Sequence, residues 1–209
     1  MKKSGSLENF VVLEGLDGAG TTTQTTRLAK RFQAAGISVT TTCEPTDGPV
    51  GRLIRSVLRK EEQVRPETLA MLFAADREEH LFRERDGILT ELSRGKLVLC
   101  DRYLFSSLAY QSVTTGLEFV RRLNDRFPLP RIVVYLATPP AICLKRRMAR
   151  SSQELFEETA FQEKVAAAYA AVFAEYHGPK VEVIEVDGTL PPEKITGLLW
   201  KRLSSLPIV

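Results

Sequence analysis

The chain has 209 residues, 44% hydrophobic and 26% charged, with 29 Lys and Arg against 26 Asp and Glu for a net charge of +3. The length suits a single domain spanning 1–209, and the composition is that of an ordinary globular protein. The charge balance excludes the strong basic bias of a nucleic-acid surface, so no nucleic-acid partner is expected.

Met1, Lys2 and Lys3 precede a first apolar run of only four residues, 10–13. That is too short for a signal-peptide core or a membrane span, so no membrane partner is expected. Apolar, β-branched runs follow at 38–42, 97–100, 132–136 and 181–186. They are near-continuous rather than alternating, the pattern of strands buried on both faces. Helical patterns lie between them. One at 24–35 stops at Gly36, one covers 66–83, and a long alanine-rich one covers 154–176 before Gly178 and Pro179. The rhythm predicts an α/β fold with about five parallel strands and helices on both faces. Cys43, Cys100 and Cys143 are far apart, and His80 and His177 are the only histidines. No disulfide frame or zinc site is expected, and a reducing cytoplasm fits.

Ligands of such sheets sit beyond the carboxyl ends of the strands. After the first run comes Gly15-Leu16-Asp17-Gly18-Ala19-Gly20-Thr21-Thr22-Thr23. Gly15, Gly20 and Thr22 match the phosphate-binding pattern G-x-x-x-x-G-K-[ST], with Thr21 in place of the lysine. Backbone N–H groups of such a loop can wrap phosphate, and Thr22 is placed to reach magnesium. Thr21 and Gln24 also match a T-x-x-Q capping box, which requires no ligand. Glu44, Asp101-Arg102-Tyr103 and Ala137-Thr138 come directly after the later runs.

The stretches FVVLEGLDGAGTTTQ (10–24), EPTDGPVGRLIR (44–55), LFAADR (72–77) and DRYLFSSLAYQ (101–111) together resemble the thymidylate kinases, over about residues 9–176. The resemblance implies a P-loop kinase fold that phosphorylates dTMP to dTDP for dTTP synthesis. The implied donor is ATP with Mg2+, and the implied assembly is a homodimer. It places ATP on the nine-residue loop and magnesium on Thr22 and Asp101. Asp17 would contact the sugar hydroxyl and align the acceptor phosphate, and Arg102 would clamp that phosphate. Phe73 would stack on thymine, with Arg77 at its carbonyl edge. Glu44, Ser107, Tyr110 and Gln111 would line the nucleoside side, and Arg55 would add a phosphate contact. A short lid at about 146–157 would bring Arg146 and Arg150 to the donor phosphates.

Four positions depart from the family pattern. Thr21 replaces lysine, Cys43 stands where arginine is common, Ala137 where aspartate is common, and the lid lacks an Asp-Arg pair. Two alternatives stay open: a weak or silent nucleotide-binding protein with a degenerate loop, or a kinase for another nucleotide. A GTPase is excluded, because Asn9 and Asn124 do not lie in an Asn-Lys-x-Asp guanine reader.

Overall fold

The computed structural model describes residues 6–148 and 156–205. Five strands form one parallel sheet: β1 (Ser6–Gly15), β2 (Val39–Cys43), β3 (Leu97–Asp101), β4 (Leu129–Ala137) and β5 (Glu182–Asp187). Their spatial order is β2-β3-β1-β4-β5. Phe10, Val11, Val12 and Leu13 are fully buried, and every residue of β3 is buried, which explains the unbroken apolar runs.

Ten helices fill the connections among the described residues. They are α1 (Thr21–Ala34), α2 (Pro49–Leu58), α3 (Pro66–Phe82), α4 (Ile88–Ser93), α5 (Leu104–Tyr110), α6 (Ser112–Thr115), α7 (Leu117–Asn124), α8 (Pro140–Met148), α9 (Phe156–Tyr176) and α10 (Pro192–Leu203). The helices cover both faces of the sheet. Phe32 against Trp200, centroids 5.0 Å apart, ties α1 to α10. Phe105 against Phe173 at 5.7 Å ties α5 to α9, and Tyr135 against Tyr169 at 5.2 Å seats α9 on β4.

Three expectations shift. β1 starts at Ser6, not residue 10, because Ser6 and Leu7 already pair with Leu129 and Pro130 of β4 before a register irregularity. Pairing of the backbone decides strand length there, not side-chain hydrophobicity. Val181 falls outside β5 and makes an isolated bridge to Gly178. The capping box does not form. Gly20, at φ 104°, is the N-cap of α1 and makes no side-chain cap bond. Thr21 is therefore already helical. Gln24 turns instead to α10, donating to the Pro192 carbonyl at 3.0 Å and accepting from Thr196 at 2.7 Å.

Candidate active site

The loop 15–23 leaves β1 and enters α1 at the carboxyl edge of the sheet. Gly18, at φ 95°, presses on α8: a Cβ there would lie 2.7 Å from the Cys143 carbonyl oxygen. Only glycine meets both the left-handed backbone and that close approach. The first turn of α1 then offers N–H groups with no intrahelical acceptor, an anion-favouring arrangement. Thr21 is only 5% exposed and is turned inward toward Gly15.

The Thr22 hydroxyl donates to Asp101 Oδ2 across the β1–β3 boundary. Asp101 Oδ1 is buried with no hydrogen-bond partner among the described residues. One carboxylate and one hydroxyl, with a spare buried oxygen, would suit a magnesium ion that took its other ligands from water and phosphate. Arg146, on α8, donates from Nη1 to the Gly18 and Ala19 carbonyls at 3.5 and 3.3 Å and from Nη2 to Gly188 at 2.9 Å. A guanidinium therefore sits against the loop that lacks lysine. Arg150, and most of the segment expected as a lid, lie outside the described residues. Arg147, not singled out from the sequence, runs its side chain past Gly18: its Cγ would be 3.2 Å from a Cβ there.

A cavity opens beside the loop. Its wall includes Asp17, Glu44, Phe73, Arg77, Arg102, Ser107, Tyr110 and Gln111, brought together from residues 17 to 111. Arg55 is not on that wall. Its guanidinium instead holds the turn after β2, donating to the Thr46 and Pro45 carbonyls and lying 3.2 Å from Asp47.

Arg77 is 1% exposed and held by protein partners on all but one of its N–H donors. Glu44 Oε2 accepts its Nε and Nη2 at 3.0 and 2.6 Å, Asn124 accepts Nη1, and Ser107 accepts Nη2 at 3.1 Å. With four of five N–H donors engaged, its plane is fixed at the cavity floor. His80 Nδ1 lies 3.1 Å from the other Glu44 oxygen, so Glu44 is gripped from both sides. Phe73 is half-buried on the same helix, with its ring on the cavity and outside the main core.

Arg102 has an unusual left-handed backbone, φ 72°. Non-glycine residues at such angles cost roughly 1–3 kcal/mol unless the surroundings fix them. Here the Arg102 N–H donates to Leu13 at 2.9 Å, and its carbonyl accepts the Cys100 thiol at 2.9 Å. The side chain reaches Asp17 Oδ1 at 2.7 Å and lies over the Tyr110 ring at 5.3 Å. The Tyr110 hydroxyl accepts the Asp17 N–H at 2.9 Å, and burial pushes its ionisation far above the ordinary range, so it remains a neutral hydroxyl.

Beneath Arg102 lies Glu14, fully buried at the end of β1. Burial raises its pKa to about 7, opposed by the Arg102 charge and by hydrogen bonds from Ser106, Tyr169 and Tyr103. The sequence contains one signal for it: a carboxylate at the end of the otherwise apolar run Val11-Val12-Leu13-Glu14. Nothing in the sequence points to Tyr169, which arrives from a helix 155 positions away.

The family model for thymidylate kinase matches residues 13–196. A relative in Treponema pallidum (strain Nichols), provisionally named a thymidylate kinase, is 47% identical over 184 residues, covering 87% of this chain and 88% of its own. Another in Aeropyrum pernix, named with the same reserve, is 42% identical over 86% of this chain and 85% of its own. The protein of Thermomicrobium roseum named thymidylate kinase is 38% identical over 205 residues, 94% of this chain and 95% of its own.

Proposed function

The chain belongs to the thymidylate kinase family, and on that footing we propose that it transfers the γ-phosphoryl group of ATP to dTMP, giving dTDP and ADP. The observation that carries this reading is the meeting of Asp17, Phe73, Arg77 and Arg102 around one cavity beside the phosphate loop.

In this mechanism Phe73 stacks on the base and the fixed Arg77 edge reads it. Asp17 takes the sugar hydroxyl. Arg102 holds the acceptor phosphate, since its rigid fork suits phosphate oxygens. An oxygen of that phosphate attacks the γ-phosphorus in line as the bond to the ADP oxygen breaks, with no covalent enzyme intermediate. Phosphoryl transfer depends mainly on positioning and charge. The loop N–H groups and Arg146 supply part of that charge at the donor. Thr22 and Asp101 would hold magnesium, which would offset charge on the phosphates. Arg150 is proposed to join Arg146 at the donor side.

The lost lysine is worth roughly 1.5–3 kcal/mol as one charged hydrogen bond, about one to two decades in rate. Such a loss slows transfer without abolishing it. We therefore do not favour a silent nucleotide-binding protein, and the names of the relatives do not favour it either. With ATP and magnesium, dTMP should be phosphorylated faster than dUMP, dCMP, dAMP or dGMP. Another monophosphate ahead by about tenfold in kcat/KM, some 1.4 kcal/mol, would overturn the acceptor assignment. We also propose a homodimer and a cytoplasmic location; none of the described helices is long and apolar enough to cross a membrane.

A further inference from the structure

Glu14 does not line the cavity, yet it is the acceptor on which the cavity's arginine is built. Its Oε1 accepts the Tyr103 and Ser106 backbone N–H groups at 2.9 and 3.2 Å. Its Oε2 accepts the Ser106 hydroxyl at 2.6 Å and the Tyr169 hydroxyl at 2.9 Å. The same two hydroxyl oxygens face Arg102 Nη1, at 3.0 and 3.4 Å, and lie 2.9 Å from each other. Arg102 Nη2 is left to Asp17 at the cavity.

A hydroxyl has one proton to place. If the Ser106 and Tyr169 protons point to Glu14, both oxygens present lone pairs to Nη1. If they point outward, they meet N–H hydrogens of the guanidinium. Ionised above its pKa of about 7, this buried carboxylate is the strongest acceptor within reach, stronger than the neutral Gly15 carbonyl 3.3 Å from the Tyr169 hydroxyl. We propose that Glu14 is a positioning residue for Arg102. It draws the Ser106 and Tyr169 protons inward, makes both hydroxyls acceptors, and so sets the guanidinium with its second nitrogen at the acceptor phosphate. This rests on the reading of Arg102 as the acceptor-phosphate clamp.

Glu14→Gln tests the polarity with little change of shape. The amide oxygen can still accept the two backbone N–H groups, while its NH2 now donates to the two hydroxyl oxygens and turns their protons toward Arg102. We expect kcat/KM for dTMP to fall at least about tenfold while KM for ATP changes less than about twofold. In an Arg102→Ala background the same substitution should cost less than about twofold, because a residue acting through Arg102 has nothing left to position. Equal losses in the two backgrounds, or parallel losses for dTMP and ATP, would overturn the proposal. If Glu14→Gln does not fold, Ser106→Ala in the same two backgrounds replaces it with the same expectations and the same overturning results. A loss from Arg102→Ala with none from Glu14→Gln, or from Ser106→Ala standing in for it, overturns this inference alone. Unchanged dTMP turnover in Arg102→Ala overturns the clamp reading and this inference with it.

Discussion

Phe73 is where a core side chain and a ligand-stacking one give different experimental results. Its ring is half-buried and lines the cavity. Stacking on a base is worth about 1–3 kcal/mol, so Phe73→Ala should raise KM for dTMP by between about fivefold and 150-fold and leave KM for ATP and the melting temperature nearly unchanged. A drop of many degrees in melting temperature with dTMP binding intact would return Phe73 to a packing role. Arg77, one turn further on, is expected at the site from its motif, and the fold puts it on the cavity wall. Its capture by Glu44, Asn124 and Ser107 is not legible in the sequence. Those partners are 33, 47 and 30 positions away, and no local pattern specifies which distant polar group will quench a buried charge. The same holds for Arg55, which sequence alone leaves free to face phosphate and which the fold turns onto the Pro45 and Thr46 carbonyls.

At the level of elements, the central strands β1, β3 and β4 are readable because burial on both faces demands continuous apolar residues. The edge strands β2 and β5 are only partly buried, against the expectation, and are marked by their β-branched residues instead. The long helices are marked by the long patterns at 66–83 and 154–176. The helices α5, α6 and α7 have only 7, 4 and 8 residues, too few for the sequence to mark them, and packing sets them. A polar stitch joins another short helix, α4, to the sheet. Glu91 accepts Thr40 of β2 and Lys96, each at 2.6 Å, and Arg94 at 2.5 Å. The bonds from Lys96 and then Thr40 pull its pKa from 4.5 down to about 2. A depressed carboxylate adds stability that is full above its unfolded pKa and is lost as pH falls through the folded value. Glu91→Gln should therefore be less stable than the parent at pH 7, and the gap should close between about pH 5 and pH 2. Denaturant titrations at several pH values measure it; a gap independent of pH would contradict the ion-pair account. Glu14, with its raised pKa, has the opposite slope, so the comparison must be between parent and variant rather than along one pH series.

For the whole molecule, the parallel sheet brings the ends of β1, β2 and β3 to one edge, and the cavity is built from the loops and helix starts just beyond those ends, closed by α3 and α5. Leu53, Val64 and Met71, on α2, between α2 and α3, and on α3, stay exposed. They support the proposed homodimer, so sedimentation at micromolar concentration should give twice the 23.4 kDa chain mass, and a species at the single-chain mass would contradict it. A phosphate loop without its lysine is proposed to transfer phosphate to dTMP nonetheless. The most direct measurement is formation of dTDP from dTMP by the unaltered protein with ATP and magnesium, run beside Thr21→Lys. The expected result is dTDP from the unaltered protein, with the added lysine improving turnover by up to about one to two decades. No dTDP from the unaltered protein, with activity appearing only in Thr21→Lys, would contradict it.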